Sequence, residues 1–99
     1  MIVIRNVFRL KFGKAREAVA VMKEAVAIQK KLGSDAATRL LTDATGEFYT
    51  LVLELTVPSL AAIEGMQSKI MADKEWQATY QKFVPLVESG YRDIFTIVE

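Results

Sequence analysis

From Ile2 to Phe12 the apolar residues keep a period of two, and past Gly13 they switch to helical spacing. That switch limits the chain to folds in which a half-buried strand feeds directly into an amphipathic helix. Ile2, Ile4, Asn6, Phe8, Leu10 and Phe12 share one face of the strand. Val3, Arg5, Val7, Arg9 and Lys11 share the other. From Lys14 onward Ala18, Val21, Met22, Ala25, Ile28 and Leu32 follow the i, i+3, i+4 rule. Lys30 and Lys31 suit the negative end of the helix dipole, and Gly33 supplies the stop.

The remaining elements follow from the same two periods. Ala36 to Ala44 reads as a second strand, Thr45-Gly46 as a turn, and Glu47 to Val57 as a third strand. Tyr49, Leu51, Leu53, Leu55 and Val57 lie on that third strand's apolar face, and the short connection makes the pair an antiparallel hairpin. Pro58 ends the pairing and Ser59 is placed to cap a short helix marked by Leu60, Ile63, Met66 and Ile70. Asp73 caps the next helical stretch, whose stripe is Trp76, Tyr80, Phe83, Val84 and Val87. Pro85 bends its end, Gly90 closes it, and Tyr91 to Val98 forms the last strand. The order β-α-β-β-α(α)-β predicts a ferredoxin-like α+β fold with an antiparallel sheet, a single domain over residues 1–99.

Composition removes several functions. The 99 residues contain no His and no Cys, so the commonest neutral-pH base, the thiolate nucleophile and zinc-cysteine sites are all missing. No metal and no cofactor is expected. Thirteen Lys and Arg against 12 Asp and Glu leave a net charge of +1, which gives no footprint for nucleic acid or for an anionic membrane. Phe48 and Tyr49 stand where an RNA-binding sheet carries its aromatics, but the basic Gly-Phe motif is lacking. The first residues have charges among their apolar positions, unlike a signal peptide, and no run is long enough to cross a bilayer. A cytoplasmic protein is expected.

A four-stranded sheet with helices on one side leaves its other side bare, and here that side carries apolar residues such as Val3 and Val7. Just over half of the chain is apolar, high for so small a monomer. Both facts predict a homodimer with sheets face to face, in which Arg5, Arg9 and Glu54 pair inside or at the rim.

Four residues are candidates for ligand binding. Asn6 interrupts an apolar row, and an unpaired amide buried there would cost roughly 1–3 kcal/mol. It either holds a ligand oxygen or bonds to backbone at a bulge or a helix end. Trp76 and Tyr80, one turn apart, either wall an aromatic pocket or belong to the core or the dimer interface. Arg39 either binds an acidic substrate or pairs, as Arg5 and Arg9 do, with Asp43, Glu47 or Glu54. No two acids stand in an apolar context that would split their pKa values for acid–base work.

The segments F-R-L-K-F-G-K (Phe8 to Lys14), D-K-E-W-Q-A-T-Y (Asp73 to Tyr80, with Lys74 where Pro is usual) and V-E-S-G-Y-R-D-I-F-T-I (Val87 to Ile97) resemble NIPSNAP-like members of the dimeric α/β-barrel superfamily. The resemblance in layout covers the whole chain and implies the fold and the dimer, but little chemistry. A sister group, the antibiotic-biosynthesis-type monooxygenases, has an Asn on its first strand and a Trp in its helices facing a cleft. Asn6 matches the former; Trp76 lies in the later helix. Tyr80 stands roughly where haem-degrading members carry their His, so haem degradation by axial ligation is not expected. The leading expectation is a NIPSNAP-like protein binding a small apolar or aromatic ligand between helices and sheet. The alternatives are a cofactor-independent monooxygenase or isomerase and a structural or regulatory homodimer without a ligand.

Overall fold

The computed structural model describes residues 1–98. The elements run β1 (Ile2–Leu10), α1 (Ala15–Lys31), β2 (Ala37–Thr42), β3 (Thr50–Val57), α2 (Leu60–Ala72), α3 (Lys74–Phe83), a 3-10 turn (Val84–Leu86) and β4 (Val87–Thr96). The sheet is antiparallel in the order β2-β3-β1-β4. The three helices cover one of its faces in the ferredoxin-like arrangement that the alternation of periods predicts.

Sequence chemistry explains the boundaries. Gly13 and Gly33 adopt φ values of +81° and +102°, a region in which a Cβ would be strained. At Gly33 the chain closes α1 with nested bonds from Ser34 N to Gln29 O and from Gly33 N to Lys30 O, a Schellman motif. Ser59 Oγ accepts from Ala62 N at 3.3 Å, and Asp73 Oδ2 accepts from Trp76 N at 2.8 Å. Both caps fall where Ser and Asp precede an apolar helical run.

Several strand boundaries differ from the sequence expectation, and β1 and β4 end at Leu10 and Thr96 rather than at Phe12 and Val98. The third strand starts at Thr50 rather than Glu47, because Tyr49 takes φ +61° and Asp43 accepts from Thr50 N at 2.9 Å. Asp43 is thus a turn-closing group, not an arginine partner. The second strand is shorter at both ends than Ala36 to Ala44. The last strand begins at Val87, not Tyr91, and Gly90 lies inside it opposite Phe8. A Cβ on Gly90 would come within 3.0 Å of Val7 O and 3.2 Å of Phe8 Cδ1. Glycine there serves close approach across the sheet rather than the end of a helix, a use that turn propensity does not reveal.

The core lies between α1, α3 and the strands. Leu10, Ala18, Met22, Ala25, Leu51, Leu53, Phe83 and Leu86 form one buried cluster. Phe8 meets Phe83 edge-on at 5.0 Å, which ties β1 to the end of α3. Helix α2 is different. It buries Ile70 alone, while Leu60 and Met71 stay about half exposed. An apolar helix that does not seat on its sheet leaves space beneath it, and that space sets up the site.

The opposite sheet face is uncovered. Cross-strand register puts Val3 beside Phe95, Arg5 beside Glu54 and Asp93, and Val7 beside Val52 and Tyr91. No helix of the described residues is long and apolar enough to cross a membrane.

Candidate functional site

Beneath α2 a cavity of about 540 Å³ opens between the helices and the sheet. Its floor is the helix-facing row of β1 and β3, Ile4, Asn6, Phe8, Leu53 and Leu55. Ile63 and Met66 of α2 form one wall, and Trp76 and Tyr80 of α3 form another. The size falls within the usual range of small-molecule sites, and the mixture of apolar walls with a few polar groups is their usual make-up.

Asn6, Trp76 and Tyr80, three of the four candidates, meet in this cavity. Trp76 and Tyr80 stack at 5.1 Å with 14° between their rings, as side chains one helical turn apart can do. The Trp76 indole Nε1 is shielded from solvent and has no hydrogen-bond partner among the described residues. A buried N–H without an acceptor is disfavoured by about 1–3 kcal/mol, a cost that the packing of the ring has to offset.

Asn6 is bound neither to a bulge nor to a helix end. Its Oδ1 accepts from Arg92 Nε at 2.6 Å. The two residues are direct partners in the β1–β4 register, on the helix-facing side. Arg92 lines the same cavity, and sequence reasoning passed over it. The signal existed in the alternation of β4, in which Arg92 falls on the side of Ile94. Using it required the β1–β4 register, which the sequence does not print.

Arg39 lies apart, on the bare face of the sheet. Its Nε donates to Glu54 Oε1 at 3.0 Å, while Arg5 donates from Nε and Nη2 to Glu54 Oε2 at 3.1 and 2.9 Å. The hydrogen bonds from Arg39 and then from Arg5 hold the Glu54 carboxyl below its ordinary value, against a smaller opposing effect of burial. The cover over Glu54 is thin. Its side chain is 6% exposed, yet the arginines above it are 43% and 67% exposed. Arg9 pairs with Glu47. These residues form a charge network on the uncovered face, with no part in the cavity.

Among the described residues no group of three acidic, His or Cys side chains is placed to hold a metal ion. A second hollow, broader and more open at about 800 Å³, lies by the β2–β3 connection, where Phe12 and Phe48 stand 80% and 72% exposed. Among the described residues its lining has no buried polar group without a partner.

The element order β-α-β-β-α-α-β and the antiparallel strand order β2-β3-β1-β4 define the ferredoxin-like α+β class. The NIPSNAP family model matches residues 4–99, and the chain belongs to the NIPSNAP family. An uncharacterised NIPSNAP domain protein from Burkholderia xenovorans superposes with a TM-score of 0.87 at 20% identity, over 99% of this chain and 95% of that one. A NIPSNAP family protein from Agrobacterium tumefaciens gives 0.88 at 22% identity, over 99% and 93%. A crystallised antibiotic biosynthesis monooxygenase gives 0.76 at 14% identity, over the full length of both chains. At these identities the likeness shows the fold alone. No curated protein matches the chain in sequence.

Proposed function

We propose that this NIPSNAP protein binds a small apolar or aromatic molecule in the cavity beneath α2, as one half of a cytoplasmic homodimer. The observation that carries the reading is the cavity itself, about 540 Å³ between helices and sheet and walled by Ile63, Met66, Trp76 and Tyr80 over an apolar floor. The apolar face of α2 supports it, since Ile63 and Met66 border open space rather than packed side chains. A ligand that covers them gains roughly 25 cal/mol per Å² of apolar area removed from water.

The homodimer is supported by the bare sheet face. Val3, Val7, Leu41, Tyr91 and Phe95 give it apolar surface, and Phe95 lies 5.4 Å beneath the Arg5 guanidinium. Its charges balance, with Arg5, Arg9 and Arg39 against Glu47, Glu54 and Asp93. A face that is apolar and neutral in sum suits a second copy of itself better than a charged partner. The cytoplasmic assignment rests on a chain that has no cysteine to profit from an oxidising compartment.

A thermal-shift screen with quinones, phenols and fatty acids, run beside Asn6→Ala, tests the ligand. A saturable rise in melting temperature is expected for at least one class. No rise with any of them would leave a structural or regulatory homodimer without a ligand.

A second reading, a cofactor-independent monooxygenase or isomerase, is favoured by Asn6 and Trp76 lining one cavity. Asn6 would then hold the substrate oxygen. Oxygen uptake with a phenol or hydroquinone, lost in Asn6→Ala, is its expected result; absence of uptake and of isomerised product removes it.

A further inference from the structure

We infer that the cavity beneath α2 takes an anion, an aromatic or apolar molecule ending in a carboxylate or ionised enol, with its oxygens on Arg92. This rests on the reading of that cavity as a binding site and adds the charge of its occupant. Among the described residues that line the cavity Arg92 alone carries a charge, and none of them is an Asp, Glu or Lys to offset it.

Arg92 differs from the arginines of the opposite face. Arg5, Arg9 and Arg39 each pair with a carboxylate, whereas Arg92 has none within salt-bridge distance among the described residues. Its partner is a neutral amide instead. Asn6 accepts from Nε and leaves the remaining guanidinium donors unassigned, so the group is held without being neutralised. One position along, the same strand pair sets Arg5 against Asp93, so the register itself does not prevent an acid opposite an arginine.

Asn6 is in this scheme a positioning residue and Arg92 the binding residue. A planar guanidinium fixed at Nε presents its other N–H groups in a fork that matches a carboxylate. The described lining contributes no carboxylate to compete for it. The apolar floor and the Trp76–Tyr80 stack take the body of the molecule. An arginine that merely keeps the surface soluble would not need an orienting acceptor on the cavity side of the sheet.

Calorimetric titration of the intact protein at neutral pH with para-butylbenzoate and its uncharged isostere para-butylbenzamide separates the alternatives. The carboxylate is expected to bind about tenfold or more tightly than the amide, as charge-assisted hydrogen bonds do. In Arg92→Gln that ratio falls close to one while the amide's affinity stays within about twofold. Asn6→Asp gives the same collapse by supplying a carboxylate to Arg92, a loss of selectivity that a general loosening of the fold would not produce. Equal binding of the two probes by the wild-type protein overturns the anion inference and leaves the cavity a site for neutral molecules. A preference that survives in Arg92→Gln overturns it too. Binding of neither probe overturns the cavity reading, and the inference with it.

Discussion

Glu54 and Asn6 on the sheet and Trp76 on α3 show how single side chains can carry unrelated duties. Glu54 is shared by Arg39 and Arg5, and its carboxyl is held below the ordinary 4.5. Such a group stabilises the fold fully above the unfolded-state value, and that contribution is lost as pH falls through the lower folded value. The melting temperature should therefore drop on acidification below about pH 4.5, and Glu54→Gln should flatten that drop while lowering the melting temperature at neutral pH. An unchanged acid profile in the variant would show that other groups control it. Trp76 is the chain's one tryptophan. Replacing it by Phe removes a buried donor without a partner, which offsets part of the packing lost, so stability should stay within about 1 kcal/mol. Its effect should appear in ligand affinity, measured by the same titrations. Asn6 was legible as an anomaly in an apolar row, but its partner was not. Arg92 comes from a strand 86 residues away, and only the register joins them.

At the scale of elements, periodicity served well wherever one face of a segment is buried. The helix-facing rows of β1 and β3, the α1 stripe and the caps at Ser59 and Asp73 all follow from it. It served badly where backbone geometry decides. Tyr49 continues the alternation of β3 yet leaves the strand at positive φ, and Gly90 resembles a terminator yet sits mid-strand against Phe8. The element-scale test is Gly90→Ala. Its methyl group must displace a backbone carbonyl and a ring that packs on Phe83, so a loss of about 1–3 kcal/mol in denaturant unfolding is expected. A neutral substitution would mean that β4 shifts freely on β1. Asp73→Ala should cost about 1 kcal/mol through the lost cap. It should also loosen the turn between α2 and α3.

At the scale of the whole molecule the described residues leave two apolar surfaces open, and the proposed function covers both. One is the bare sheet face, for which a second copy is the proposed cover. Val7→Lys adds a like charge between Arg5 and Arg9 at its middle, so light scattering should give a dimer mass for the wild type and a monomer mass for the variant. A wild-type monomer at micromolar concentration would refute the dimer. The other surface is the cavity beneath α2. The sequence carried the residues for it but not its existence, because a helix that seats fully and one that stands off share the same apolar stripe. Whether that cavity receives a ligand is the central claim, and the emission of Trp76 reports on it directly from the cavity wall. Titration with para-butylbenzoate should give a saturable change, shifted to shorter wavelength as water leaves the indole. Emission that stays constant up to the solubility limit of the probe would contradict the claim.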